Sequence, residues 1–299
     1  MDLKQLFTDR LKTSGLNLQL GPFAFNIKSS IPKVIDEVYE NYQFHQVIPD
    51  DNFIDFYITL KPSTGLRRWF KPQVNFYFEH HKPFKPLPLN QAYPMLEWGM
   101  NWTIANYGHY YLIIHSAVVV KNNKAIVLPA PQGSGKSTLC ASLVNSGWRL
   151  FSDEIAIISL ENGLVYPCCR PISLKNQSIN IIDEKFPQAR LMAPVKDTTK
   201  GTVSLMKPYQ DSVINNDPAE IVAVVFPKYE AETDGEFIPR TKSDTLIQLI
   251  QNSFNYHVIS KQGFDIASDI IESAQCYDYT YSDIDKAIAD FDGMISECN

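Results

Sequence analysis

The segment with the most recognisable chemistry is a glycine-containing loop followed by a lysine and two hydroxyl residues. A hydrophobic strand is predicted to lead into this loop, and an apolar helix is predicted to lead out of it. Its residues are Gly133, Ser134, Gly135, Lys136, Ser137 and Thr138. A strand, a glycine-rich loop and a helix in this order are typical of a P-loop, which binds the phosphates of a nucleoside triphosphate.

Each residue type in the loop suits an anion, because glycines let backbone N–H groups converge on a phosphate and the helix start adds a positive field. We expect Lys136 to reach the β- and γ-phosphates, Ser137 to coordinate Mg²⁺ and Thr138 to contact the α-phosphate. The first glycine of the pattern G-x-x-x-x-G-K-[ST] falls on Ala130, which fits if its φ is negative. The alternative is a glycine-rich turn beside an unrelated lysine.

Two consecutive carboxylates, Asp153 and Glu154, follow the strand that is predicted after this helix. The chain runs away from the loop along the helix and returns by that strand, so both side chains should come back near the phosphates. They suit base catalysis, Mg²⁺ binding, or both. A solvated acidic turn is an equally consistent interpretation.

His115 lies in the middle of an apolar run just before the loop strand. A single histidine on an apolar run favours a place in the core. If its strand neighbours the loop strand, however, His115 could face the phosphates or orient Asp153.

Four cationic residues follow in less regular segments. Arg170 and Lys175 could stabilise transferred charge, or could form an exposed basic pair. Lys196 precedes and Lys200 lies near the end of residues 197–201, a polar segment that ends in glycine and is predicted to be a mobile loop. For these two lysines a solvated position is favoured over contact with a substrate.

The predicted elements indicate an α/β (α+β) fold with a mixed sheet, a β-rich N-terminal segment and C-terminal helices. Strands are predicted at 53–60, 74–79, 111–120, 125–128, 149–152, 155–160, 164–166 and 221–226. The strands at 111–120 and 125–128 should form a hairpin through an Asn-rich turn, and Pro227 should end the strand at 221–226. Helices are predicted at 34–42, 95–107, 137–146, 243–256 with Ser243 as the cap, 263–273 and 282–295. We divide the chain into 1–108 and 109–299.

Composition limits the class of protein. The chain has 299 residues, a formal net charge of -6 and five cysteines without a C-x-x-C pair. An acidic chain lacks the basic surface that holds nucleic acid, so a nucleic-acid partner is not expected. The N-terminus has no signal-peptide pattern and no apolar run is long enough to span a bilayer, so we expect a cytoplasmic protein without a membrane partner. A homo-oligomer is compatible with the sequence.

The order of these motifs resembles the catalytic domain of bacterial HPr kinase/phosphorylase, and more closely the HPr-kinase-related kinases. The resemblance covers roughly residues 110–180. It is carried by His115-Ser116-Ala117-Val118, by Gly133-Ser134-Gly135-Lys136-Ser137, and by Gly147-Trp148-Arg149-Leu150-Phe151-Ser152-Asp153-Glu154.

The resemblance implies a P-loop kinase core like the ATP-binding core of phosphoenolpyruvate carboxykinase. It implies that Asp153 takes the proton of an acceptor hydroxyl, usually a serine, and that His115 supports Asp153 or the phosphates. Glu154 stands where the family has a second aspartate. The family's Mg²⁺-binding glutamate has no counterpart here, and residues 170–176 lie near its place. The first hundred residues do not resemble the N-terminal domain of that family, so the acceptor differs from HPr.

Three functions follow as hypotheses. The first is a kinase that uses ATP (or GTP) and Mg²⁺ to phosphorylate a serine-type hydroxyl of a peptide or small protein. The second is a nucleotide-binding regulatory module without efficient transfer. The third is a kinase of a small hydroxylated molecule.

Overall fold

The structure is a computed structural model and describes residues 2–68 and 70–297. The chain divides into two compact units, Met1–Ile104 and Ala105–Asn299, where the sequence-based division placed the boundary after residue 108. The fold is mixed α/β, and the described residues form three sheets and nine α-helices. None of the helices in these ranges combines the length and the apolar character needed to cross a bilayer.

Unit 1 contains one five-stranded sheet with the strand order β1-β2-β3-β4-β5. Its strands are β1 (Leu16–Leu20), β2 (Phe23–Ser29), β3 (Phe56–Pro62), β4 (Gln73–Phe78) and β5 (Leu87–Pro88). Its helices are α1 (Leu3–Lys12), α2 (Pro32–Tyr42) and α3 (Ala92–Tyr107), the last of which extends past the division. The two helices and two strands predicted here are confirmed, whereas α1, β1, β2 and β5 were not predicted.

A buried carboxyl makes the stability of unit 1 depend on pH. Glu37 of α2 has an Oε2 atom that is buried and lacks a hydrogen-bond partner in the described part of the chain. Burial raises the pKa of Glu37 from 4.5 to about 7, although Lys33, with its Nζ 3.7 Å from Oε1, opposes this. The folded state therefore holds a proton that the unfolded chain has lost, and this contribution disappears as pH rises from about 4.5 to about 7.

We expect the free energy of unfolding to fall by about 2–3 kcal/mol between pH 5 and pH 8.5, and Glu37→Gln to remove most of this loss. Urea unfolding at the two pH values measures it. Glu40→Gln is the matched control, because Glu40 is exposed on the same helix. Equal pH dependence of the wild type and Glu37→Gln would contradict the assignment.

Unit 2 is built around an eight-stranded sheet with the order β10-β9-β6-β7-β14-β16-β15, in which β8 also pairs with β6, and a small sheet of order β11-β13-β12. Its helices are α4 (Lys136–Asn145), α5 (Gln177–Lys185), α6 (Gln210–Ile214), α7 (Lys242–Gln251), α8 (Tyr256–Ser273) and α9 (Ile284–Glu297). Its strands are β6 (Tyr111–Lys121), β7 (Lys124–Pro129), β8 (Arg149–Ser152), β9 (Ile155–Ser159), β10 (Val165–Tyr166), β11 (Ile172–Lys175), β12 (Val195–Thr198), β13 (Gly201–Met206), β14 (Glu220–Tyr229), β15 (Glu236–Pro239) and β16 (Gln275–Tyr281).

The large sheet is buried on both faces, which explains why β6 and β7 read as continuous apolar runs. Ala117 and Val119 lie in one core with α4 and α9. Val118 and Val120 lie in the other core, with α7 and α8. Since side chains alternate along a strand, His115 lies on the α4 face with Ala117 and Val119.

The predicted hairpin is confirmed, because β6 and β7 pair antiparallel. Asn122 and Asn123 have φ values of 53° and 61°, the left-handed pair that a type I′ turn requires. The predicted helix after the loop is also confirmed as α4. These elements place the strand of His115 directly beside the strand that enters the loop.

The prediction that Pro227 ends its strand is wrong, because β14 continues to Tyr229. The pairing of β14 with β7 reaches only Val224, while its pairing with β16 continues to Tyr229. A proline lacks the N–H that a strand with two neighbours needs, and at Pro227 only one neighbour remains. This extension carries Tyr229 to the glycine loop.

The prediction of a single helix over 243–256 is also wrong. The cap is Thr241, whose hydroxyl accepts a hydrogen bond from the Asp244 N–H, and α7 ends at Gln251. The following residues pair instead with β6, where the Asn252 carbonyl accepts from His115 N–H and the Phe254 N–H donates to Ile113. The C-terminal third also supplies β15 and β16 to the large sheet, so it is not simply helical.

Residues 197–201, predicted as a mobile loop, form the turn of the β12–β13 hairpin. The hydroxyl of Thr198 donates to the Gly201 carbonyl over 2.6 Å and accepts from the Lys200 N–H. The turn is also tied to Asn176, whose side chain accepts from the Thr202 N–H. The hairpin therefore has a defined position for Lys200.

Candidate functional site

The glycine loop has the backbone shape that its sequence predicts. Gly133 and Gly135 have φ values of 87° and 89°, a region that L side chains rarely adopt. Ala130 is buried and does not have a positive φ, so the departure from the glycine pattern fits the loop. Gly135 is the N-cap of α4, and Lys136 is its first residue.

Two tyrosines hold the loop against the large sheet. The Tyr229 N–H at the end of β14 donates to the Ser134 carbonyl over 2.7 Å. The Tyr281 hydroxyl at the end of β16 donates to the Gly135 carbonyl over 2.9 Å. Both bonds engage carbonyl oxygens of the loop, and so fix the backbone whose N–H groups would bind an anion.

The two glycines have similar φ values but different surroundings, which gives a matched pair of variants. A Cβ on Gly135 would lie 2.6 Å from the Tyr281 hydroxyl oxygen and 2.9 Å from the Tyr229 Cβ, whereas a Cβ on Gly133 would meet no atom within 4 Å. We expect Gly133→Ala to cost about 1–2 kcal/mol of unfolding free energy from backbone strain alone. Gly135→Ala should cost about 2–5 kcal/mol because overpacking is added.

Urea unfolding of the two variants measures this difference. The variant Tyr281→Phe keeps the ring and loses the hydrogen bond to Gly135, so it should fall between the wild type and Gly135→Ala. Equal losses in Gly133→Ala and Gly135→Ala would show that the tyrosines do not press on the loop.

A chain of charged side chains runs beside the loop. Lys136 Nζ lies 3.3 Å from His115 Nε2, which lies 3.2 Å from Glu154 Oε2. Lys175 Nζ lies 3.7 Å from the other oxygen of Glu154. The single Nε2 atom cannot donate to Glu154 and accept from Lys136 at once, so ring protonation decides which bond forms.

The two neighbouring carboxyls have opposite pKa shifts. Burial raises the pKa of Asp153, and the adjacent charge of Glu154 raises it further. Burial also pushes the pKa of Glu154 upward, but the His115 hydrogen bond and nearby lysines outweigh it and hold that pKa well below its ordinary value. The environment therefore favours the charged form of Glu154 and the protonated form of Asp153.

Only one of the two carboxyl oxygens of Asp153 has a hydrogen-bond partner among the described residues. Only 3% of its surface is exposed, and its Oδ2 accepts the Ser173 N–H over 3.1 Å. Its Oδ1 is buried without a hydrogen-bond partner among the described residues. Such an oxygen costs about 1–3 kcal/mol until a donor or a cation reaches it, which favours a ligand-binding role for Asp153.

A cavity of about 660 Å³ opens over these residues and is large enough for a nucleotide. Three helices begin at its wall, with Lys136 of α4, Gln177 of α5 and Ile284 of α9 all contributing to the lining. Each helix N-terminus adds positive field, so together they favour an anionic ligand. Lys200 also lines the cavity, and burial lowers its pKa although Glu154 opposes this.

The structure brings most of the predicted site residues to this cavity. The lining includes Gly133, Ser134, Gly135, Lys136, Ser137, Thr138, His115, Glu154 and Lys175. His115 is 31% exposed in its side chain, so the interpretation as a core histidine is wrong, and the carboxylate it contacts is Glu154 rather than Asp153.

Three of the predicted residues do not contribute to the described lining. Asp153 lies buried behind it, which excludes a solvated acidic turn for that residue. Arg170 is also buried, so the interpretation that it belongs to an exposed basic pair is wrong. Lys196 is exposed on β12, as expected for a solvated lysine, whereas Lys200 is at the cavity.

Sequence reasoning missed the residues that complete the wall. Tyr229 and Tyr281 were missed because the strands that carry them were shortened or not predicted. An alternation of tyrosines at positions 277, 279 and 281 was the available signal, since a period of two is typical of a strand. Ser178, whose hydroxyl accepts from Thr138 over 2.8 Å, gave no signal in the sequence.

A magnesium ion needs few protein ligands when it binds with a nucleotide, because phosphates and water supply the rest. Within the described ranges, no group of three or more His, Cys, Asp or Glu side chains is arranged to hold a metal ion alone. Ser137 and Glu154, which carry oxygen donors, both line the cavity.

The sequence was compared with protein-family models, and none matches it. A comparison with curated proteins found no match either.

Proposed function

We propose that this protein is a kinase that uses ATP and Mg²⁺ to phosphorylate a serine-type hydroxyl of a peptide or small protein. The observation that carries the proposal is the contact of Lys136, at the head of α4, with the His115–Glu154 pair beside the proton-exchanging Asp153. Lys136 and Glu154 line one cavity and Asp153 is buried directly beside Glu154 in the chain, which supports phosphate binding and base catalysis at neighbouring positions. A core like that of phosphoenolpyruvate carboxykinase, suggested by the order of the motifs, belongs to this proposal.

The loop N–H groups and Lys136 bind the β- and γ-phosphates, and Thr138 lies at the α-phosphate. The acceptor hydroxyl gives its proton to Asp153 Oδ1, the oxygen that lacks a donor. A bond forms from the acceptor oxygen to the γ-phosphorus, and the bond to the β–γ bridging oxygen breaks, so ADP leaves. Lys136 stabilises the charge that develops on the transferred group.

Mg²⁺ fits the oxygen donors that line the cavity. The Ser137 hydroxyl and the Glu154 carboxylate would hold it, which leaves Asp153 Oδ1 free to take the proton. When bound, the ion neutralises phosphate charge and orients the γ-phosphate. Glu154 suits this role because the His115 hydrogen bond and the nearby lysines lower its pKa and so favour its charged form.

A half-exposed aromatic ring supports an acceptor with apolar groups near the hydroxyl. Phe254 is 42% exposed, and its ring centroid lies 5.7 Å from that of His115. A peptide presents such apolar neighbours more readily than a small polyol does. This favours a peptide or small protein over a small hydroxylated molecule.

The test is incubation of the purified protein with γ-labelled ATP, Mg²⁺ and a cell extract, followed by identification of the labelled residue. The expected result is label on a serine of one peptide or protein, dependent on Lys136 and Asp153. Label on a sugar or other small molecule would move the acceptor to the small-molecule class. Equal labelling of the same acceptor by the wild type and by Lys136→Ala, above the level of the extract alone, would refute the proposal.

A nucleotide-binding regulatory module is the second candidate function, and the burial of Asp153 favours it. A base that contributes nothing to the described lining has to be uncovered before it can reach a hydroxyl. This candidate predicts tight MgATP binding by calorimetry and no labelled acceptor. A single specifically labelled partner excludes it.

A further inference from the structure

The cavity continues beyond the loop, along one face of α5. Ser178, Ile181 and Lys185 are three and four residues apart, so they lie on the same side of the helix, and all three line the cavity. The start of α9 contributes Ile284 and Asp285 to the same lining. An ion pair of 2.6 Å between Lys185 Nζ and Asp285 Oδ2 joins the two helices. This part of the cavity is therefore bounded by α5 and α9, which the Lys185–Asp285 ion pair connects.

The contacts of Thr138 show which part of a nucleotide would reach this region. Thr138 is the third residue of α4, directly after the glycine loop, and under the proposed function it lies at the α-phosphate. Its hydroxyl donates to Ser178 on α5 over 2.8 Å. The nucleoside is attached to the α-phosphate, whereas the γ-phosphate lies toward Lys136 and His115. The base and sugar therefore extend along α5.

The side chains on this face of α5 and at the start of α9 suit the binding of a nucleobase. Ile181 is 39% exposed although it is aliphatic, while the neighbouring Ile182 is fully buried in the core. Ile284 is half-buried and packs on the same core as α4 and α9. An exposed isoleucine inside a cavity gains stability when a flat ring covers it. The Lys185–Asp285 pair can meet the polar edge of a base or the sugar hydroxyls.

We propose that the α5 face and the first residues of α9 form the nucleoside subsite, with the base packed on Ile181 and Ile284. This inference rests on the proposed triphosphate site and adds to it a binding site for the nucleobase and sugar, which Lys136 does not contact. Ile181 is a specificity residue under this proposal, because it contacts the base and does not touch the phosphates.

Two ligands separate the subsite from the phosphate loop. Calorimetric titrations with ATP and with inorganic tripolyphosphate, each with Mg²⁺, are compared for the wild type and Ile181→Ala. The dissociation constant for ATP should rise about five- to tenfold in the variant, while that for tripolyphosphate stays within about twofold. Ile247→Ala is the matched control, since Ile247 is an exposed helical isoleucine outside the cavity lining and should change neither constant.

The outcomes are distinct. If the wild type binds tripolyphosphate and Ile181→Ala leaves ATP affinity unchanged, the subsite is wrong and the phosphate loop stands. If Ile181→Ala weakens both ligands equally, the residue acts on the phosphates and the subsite is again wrong. If the wild type binds neither ligand, the proposed function fails and the subsite fails with it. Far-UV circular dichroism establishes that each variant is folded.

Discussion

Replacement of Lys136 by alanine is expected to raise the dissociation constant for MgATP about a hundredfold and to leave no measurable phosphoryl transfer. Lys136 is the first residue of α4 and is only 7% exposed, and its ammonium group lies 3.3 Å from His115 Nε2. A charged hydrogen bond to phosphate in such a shielded place contributes on the order of 3 kcal/mol. Calorimetry measures the affinity, and transfer of labelled phosphate measures the activity.

Lys196→Ala is the matched control for this loss of charge, because Lys196 is an exposed lysine of the same unit that does not line the cavity. It should bind MgATP as the wild type does. Far-UV circular dichroism establishes that Lys136→Ala remains folded. A folded Lys136→Ala protein with wild-type affinity for MgATP would refute the phosphate loop and every function built on it.

Replacement of Asp153 by asparagine is expected to lower the rate of transfer by about 10²–10⁴-fold while MgATP affinity changes little. Asparagine keeps the shape and can still accept the Ser173 N–H, but it cannot take a proton. Because burial and the Glu154 charge raise the pKa of Asp153, the wild-type rate should increase as pH rises through that pKa. The variant should lose this dependence, and a rate–pH profile under saturating MgATP measures it.

Glu154→Gln separates the two acidic roles. The low pKa of Glu154 keeps it ionised, so its loss should raise the Mg²⁺ concentration needed for half-maximal rate and should not abolish the pH dependence. Should Asp153→Asn transfer phosphate at the wild-type rate, the base is misassigned. If neither the wild type nor Asp153→Asn transfers phosphate, the protein is a nucleotide-binding regulatory module.

The parts of the site that could be predicted from the sequence are those whose conformation depends on residues close together in the chain. The glycine loop, its flanking strand and helix, and the paired carboxylates follow from patterns of a few consecutive positions. The turn at Asn122 and Asn123 is equally local, and it correctly placed the strand of His115 beside that of the loop.

The parts that could not be predicted depend on pairing between distant segments. Pro227 ends a strand only where two neighbours demand hydrogen bonds, and the sequence does not reveal that β7 stops pairing at Val224. Lys200 reaches the cavity because the turn of its hairpin is bonded to Asn176. The burial of Asp153 depends likewise on β11, which brings the Ser173 N–H to its carboxyl.

The bond from Tyr281 to Gly135 also has a consequence for the order in which the chain folds. The loop strand β7 pairs with β14, nearly a hundred residues later, and β14 pairs with β16 after a further helical segment. Contacts between such distant residues form slowly, because a long loop must close first. On the ribosome, the glycine loop emerges before Tyr229 and Tyr281, and its bonding is incomplete until residue 281 has been synthesised. Nucleotide capture should therefore be among the last properties that a growing chain acquires.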